Sequence, residues 1–202
     1  MSQPKTLLQL AGASPSPAAM AESTLVMIDA QREYLDGQLP LSGVEDALME
    51  GARLLFAARA SGAPIVHVQH KGRAGGLFDP ETSAFEIAPQ VAPFADELRV
   101  EKGMPNAFAG TTLATELERL GRKSLIVGGF MTHMCVSSTV RAAVDLGYGC
   151  TVVGGACATR DLPDGAGGAV PAEQLHRSEL AALADRFAVV VPNTETLMAA
   201  GG

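Results

Sequence analysis

The chain has 202 residues, 47% hydrophobic and 18% charged, a composition that gives a packed domain with a sizeable core and excludes a disordered segment. With 15 basic against 22 acidic side chains the net charge is −7, and no basic cluster is present to neutralise a phosphate backbone, which excludes nucleic acid as the main partner. No apolar run approaches the roughly 18 residues of a membrane-spanning helix.

The N-terminal stretch MSQPKTLLQLAGASPSPAAMAEST carries a single Lys5 and a short apolar patch broken by Gln9, unlike a secretory leader. Its Ala/Ser/Pro run reads as an arm over residues 1–22, suited to packing on a partner subunit. The domain proper is expected over 23–202, with no internal repeat and no second compositional regime. TLVMIDA (24–30) is a continuous apolar run ending in a carboxylate, the pattern of a buried parallel strand. VEDALMEGARLLFAARASG places Val44, Leu48, Ala52 and Leu55 at helical spacing and stops at Gly62. PIVHVQH and ELRVEK read as the second and third strands. TLATELERLG reads as a helix ending at Gly121, and SLIVGGF as the fourth strand. GGFMTHMCVSSTVRAA turns into a helix expected to reach about Gly147. CTVVGGA is a fifth strand, PAEQLHRSELAALADR a helix, and AVVVP a sixth strand; GAGGAV reads as a flexible loop with no phosphate-binding lysine behind it.

Strands alternating with helices predict an α/β fold: a six-stranded, mostly parallel sheet with helices on both faces. Ligands bind such sheets outside the carboxyl ends of the strands, where strand order reverses. Three strand ends carry reactive groups: Asp29 after the first, Lys102 at the third and Cys135 after the fourth. A lone cysteine is most often a small core hydrophobe. A thiol beside a lysine and a helix start is instead expected to favour the thiolate, with a pKa below about 8.5, and a carboxylate there can take its proton. Backbone N–H groups at the turn are placed to hold an oxyanion. The three cysteines, Cys135, Cys150 and Cys157, show no metal spacing and no paired pattern, as expected of a reduced, cytoplasmic protein.

VMIDAQREY, VEKGMPNAF and GGFMTHMCVSSTVRAAVDLGY, in that order, resemble the isochorismatase-like cysteine hydrolases, and the resemblance runs from Thr24 to about Leu197. It implies a three-layer α/β/α sandwich, a catalytic triad of Asp29, Lys102 and Cys135, and no cofactor. It also implies a cis peptide between Phe130 and Met131, with the Met131 and Cys135 N–H groups as oxyanion hole, and assembly as a homodimer or homotetramer. Gln31, Tyr34, Phe78, Phe108, Phe130 and His133 follow the motif segments and are expected to wall the substrate pocket. Nicotinamidase-like members bind a metal through an Asp-x-His pair that VHVQHKGRAGGLFDP lacks. His67 and His70, three apart on a predicted strand, face opposite ways and cannot share an ion, so His67 is expected in the core and His70 at the pocket. His176 is expected to be structural. The family often carries Asp where Gly155 stands.

The retained cysteine favours hydrolysis of an amide, lactam or ureido C–N bond of a small molecule through a thioester, without metal. GFMTHMC and GGLFDP also resemble streptothricin-hydrolase-like members, which open a lactam. Two other readings are isochorismatase-type vinyl-ether hydrolysis with Asp29 as the acid, and a non-catalytic ligand-binding or redox-sensing protein using a reactive Cys135.

Overall fold

The computed structural model describes residues 3–200. Its sheet has six parallel strands, β1 (Ser23–Ile28), β2 (Ile65–His70), β3 (Leu98–Lys102), β4 (Ser124–Phe130), β5 (Gly149–Ala158) and β8 (Val189–Val191), in the order β3-β2-β1-β4-β5-β8. Alternation within β1 feeds two cores: Leu25 and Met27 enter one apolar cluster, Val26 and Ile28 the other. Helix α2 (Val44–Ala60) closes the first face, burying Val44, Ala47, Leu48, Gly51, Leu54, Leu55 and Ala58 at three- and four-residue spacing. It stops before Gly62, which takes the left-handed conformation that ends helices. Helices α3 (Leu113–Leu120), α4 (Ser137–Asp145) and α5 (Ala172–Arg186) follow strands as the chain pattern predicts, and residues of all three enter the second cluster. The three-layer α/β/α sandwich is thus present.

Four features depart from the sequence reading. The arm carries a short helix α1 (Leu7–Leu10), capped by Thr6 and Gln9, and it lies on α5 of its own chain, where the Leu7 N–H donates to Asp185. GAGGAV is not simply a loop: β6 (Leu162–Pro163) and β7 (Ala169–Val170) pair as a hairpin, its turn held by the Ala166 and Gly168 N–H groups donating to Asp164. A last helix, α6 (Thr194–Ala200), follows β8. Between β4 and α4 the chain winds through a π-helical turn, Thr132–Val136.

The strand order reverses between β1 and β4, so the gap at their carboxyl ends is where this topology puts a site. Gly129 sets how closely these ends approach. It sits at φ 120° and a Cβ there would overlap the Ile28 backbone, so no other residue fits without moving β4 from β1. Gly155 is similarly constrained: its N–H donates to the Pro192 carbonyl, and a Cβ would lie 2.6 Å from that oxygen.

Candidate active site

Four neighbouring strand ends deliver four side chains to one point. Lys102 and His70 are register partners on β3 and β2, so their side chains leave the same face. Asp29 follows β1, and Cys135 lies in the π turn after β4. The Lys102 ammonium sits at the centre: 2.6 Å from Asp29 Oδ2, 3.3 Å from Cys135 Sγ and 3.2 Å from His70 Nδ1. An ammonium has three donors and no acceptor, so its three N–H bonds have three neighbours. It also forces Nδ1 of His70 to accept, which puts that ring's proton on Nε2.

The cluster is buried. The Asp29 and Lys102 side chains are 0% exposed and Cys135 is 4% exposed. The Asp29 carboxylate pairs with the Lys102 ammonium at 2.6 Å and also faces the Cys135 thiol, so it is placed to accept that thiol's proton. Burial raises the Asp29 pKa to about 6 against the pull of Lys102. It is therefore mostly ionised at neutral pH yet far more basic than an ordinary aspartate. Burial and then Lys102 hold His70 down at about 4, so its ring is neutral.

The expected low pKa of Cys135 is wrong. Burial pushes the thiol up to about 12, with the neighbouring Asp29 charge adding to the rise and Lys102 opposing it. The helix-start argument omitted desolvation and the adjacent anion, and these outweigh the lysine. Cys150 and Cys157 are pushed equally high by burial, so acidity does not separate the three thiols; what separates Cys135 is its contact with Lys102.

The turn into Cys135 has the cis peptide between Phe130 and Met131. The Met131 carbonyl accepts from the Met134 N–H at 3.0 Å and the Val136 N–H at 3.3 Å, stepping over the N–H of Cys135. The π winding therefore deprives the Cys135 N–H of its α-helical acceptor, a condition for a backbone donor that serves a ligand.

The pocket residues divide. Tyr34 packs edge-on against Phe78 and Phe130, with ring centroids 5.0 and 5.8 Å away, and Phe78 meets the His70 ring at 5.0 Å. Burial, then the Asp29 charge, keeps the Tyr34 hydroxyl well above the phenol range. Phe78 adopts φ 54°, a conformation that costs a bulky residue about 1–3 kcal/mol and needs external support. Two expectations need correction. Gln31 is buried with its amide committed: Nε2 donates to the His70 and Phe85 carbonyls, and Oε1 accepts from the His70 N–H. It braces β2 rather than facing a substrate. Phe108 does not join the aromatic group but stacks against Tyr148. His133 bonds Thr159 Oγ1 at 2.6 Å and leaves Nε2 buried without a partner. His67 is in the core, 2.8 Å from Glu97, which also binds Arg59, so the two histidines do face apart. His176 meets Thr132 Oγ1 at 2.9 Å, bracing the π turn.

Sequence reasoning missed Glu33. It is a fully buried carboxylate whose Oε1 accepts from the Gln38 N–H and whose Oε2 accepts from the Phe78 N–H at 2.9 Å. Its only sequence signal is the polar segment QREY, which looks like a solvated turn.

The Isochorismatase domain family matches residues 23–195. An isochorismatase structure from Pseudomonas putida superposes with a TM-score of 0.90 at 49% identity, covering 94% of this chain and 97% of that one. The secreted isochorismatase effector Isc1 of Verticillium dahliae is 39% identical over 185 residues, 91% of this chain and 95% of its own. A streptothricin hydrolase of Streptomyces noursei is 32% identical over 180 residues, 88% of this chain and 71% of its own.

Proposed function

The chain belongs to the isochorismatase family of hydrolases, and within it we propose a metal-independent cysteine hydrolase that cleaves an amide, lactam or ureido C–N bond of a small molecule. One observation carries this reading: a single buried ammonium touches both a basic, ionised carboxylate and a thiol. Asp29 takes the thiol proton as Cys135 Sγ attacks the carbonyl carbon, and the Met131 and Cys135 N–H groups receive the oxyanion. The intermediate collapses to a thioester as the proton on Asp29 passes to the departing nitrogen. Water, deprotonated by Asp29, then attacks the thioester, releasing the acid and restoring the thiol. Lys102 holds Asp29 in place and balances negative charge wherever it stands.

A C–N bond over a vinyl ether is supported by the thiol held beside Asp29 and Lys102, and by a 25% identical relative from Variovorax paradoxus named ureidoacrylate amidohydrolase. The redox-sensing reading loses ground because a thiol held near 12 offers little thiolate to peroxide. Three unpaired cysteines suit a reducing, cytoplasmic setting, and no helix among the described residues is long and apolar enough to cross a membrane. Assembly as a homodimer or homotetramer is supported by Met49 and Phe56, exposed together on α2. Turnover of purified protein on an amide, lactam and ureido panel tests the reaction: acid and amine or ammonia are expected. Pyruvate from isochorismate, with no amine released from any panel member, would replace it with vinyl-ether hydrolysis.

A further inference from the structure

Residues 71–85 form a loop after β2 that is tied by its own hydrogen bonds. The Gly72 N–H donates to the Phe78 carbonyl, and Asp79 binds the Gly75 and Glu81 N–H groups and accepts from Thr82 through its own carbonyl. Its two ends are held together by Gln31, which donates to His70 on one side and Phe85 on the other, with Gln69 adding a bond to Phe85. A loop with close ends and internal packing is suited to move as a unit about its base. Away from that base, the hydrogen bond tying it to the site is that of the Phe78 N–H to Glu33. Phe78 is also where the loop meets the site, its ring against both Tyr34 and His70, the latter in contact with Lys102. Through His70 and Lys102 this contact lies next to Cys135, which is 4% exposed.

We propose that Glu33 is a latch: its buried carboxylate holds Phe78, and with it the 71–85 loop, closed over the Lys102–Cys135 pair, so that release of this one bond admits the substrate. The proposal rests on Cys135 being the nucleophile, but access to the thiol can be read without any substrate. Glu33 is a positioning residue, since it touches none of the reacting groups. A carboxylate serves two N–H groups at once, one per oxygen. Glu33→Gln keeps the size but replaces one acceptor by a donor, so one of the two N–H bonds must be lost.

The test is the rate of iodoacetamide labelling of Cys135 in the native protein, read site by site by mass spectrometry against Cys150 and Cys157. Glu33→Gln is expected to speed Cys135 labelling by roughly tenfold or more, the scale of one lost hydrogen bond to a buried charge, with the other two thiols unchanged. Phe78→Ala, which removes the cover and leaves the carboxylate, is expected to do the same. Glu33→Gln added to Phe78→Ala should gain little more, because both act through one contact. Unchanged Cys135 labelling in both variants would overturn the latch, as would equal acceleration of all three thiols in a folded Glu33→Gln protein. If Glu33→Gln does not fold, Phe78→Ala alone decides, and unchanged labelling there is equally fatal. Loss of turnover upon Cys135 labelling is scored separately and judges the nucleophile, not the latch.

Discussion

Replacing Lys102 by Met removes the central charge while its stem volume is kept, so no cavity is left. Asp29 then lies buried with no cation beside it. An unpaired buried charge costs about 3–5 kcal/mol, more than it takes to protonate a carboxylate near neutral pH, so Asp29 takes up a proton instead. The wild-type reference is already displaced: Asp29 titrates at about 6 rather than 3.8. Because the folded form holds its proton more tightly, stability attributable to this group is greatest below pH 3.8 and is lost as pH rises through 6. At about 1.4 kcal/mol per pH unit that loss is about 3 kcal/mol. Without Lys102, whose charge lowers this pKa, the loss extends to higher pH and Asp29 is protonated where the wild type is active. Three results are expected. In the wild type, kcat/KM rises with pH through an inflection near 6. In Lys102→Met the inflection moves upward by at least one pH unit, and kcat at pH 7 falls by about 10²–10⁴, the usual worth of a positioned base. Urea denaturation across pH 4–9 shows the mutant losing stability at higher pH than the wild type. An inflection still near 6 in Lys102→Met would refute the assignment of the group titrating there to Asp29 under the influence of Lys102.

Cys135→Ala is expected to abolish turnover and keep the fold, and intact-mass analysis of wild type with a slow substrate should show an acyl adduct on Cys135; turnover surviving in the mutant places the nucleophile elsewhere. Asp29→Asn should lower kcat by about 10²–10⁴ without weakening substrate binding to match, since a base acts in the transition state. Prolonged chelation should leave activity unchanged; loss restored by zinc or another divalent ion would overturn metal independence. Gly129→Ala places a Cβ against the Ile28 backbone at a φ that L residues avoid, and should cost well over 1 kcal/mol in urea denaturation.

What could be read in the chain, and what could not, follows from how local the causes are. Asp29 ends one apolar strand, Cys135 follows another and Lys102 ends the alternating edge strand LRVEK, so period and topology were enough to bring them to one rim. The sheet was legible for the same reason, because buried parallel strands advertise themselves as apolar runs. Glu33 was not: its partners are the backbone N–H groups of Gln38 and Phe78, and backbone donors leave no mark in a sequence. The roles of Gln31 and Phe108 were misjudged because proximity in sequence to a motif does not say which way a side chain leaves the chain. The hairpin β6–β7 was hidden by its glycines, whose freedom is what its turn uses. The thiol acidity failed for an energetic reason, since desolvation depends on burial that only the packed structure reveals.

The high thiol pKa and the raised carboxylate pKa fit together as one design. The Asp29 charge is among the causes that push Cys135 up, so moving the proton to Asp29 removes that cause at the moment the thiolate forms. Lys102 lies within contact of both atoms, and therefore an anion is paired with it before the transfer, as carboxylate, and after it, as thiolate. At neither stage does the site hold an unpaired buried charge, the state that would cost several kcal/mol. A helix start alone would have stabilised a permanent thiolate, open to oxidation and alkylation. The buried arrangement instead keeps the sulfur protonated at rest, so that in the proposed reaction the nucleophile forms as a carbonyl carbon arrives to receive the electron pair.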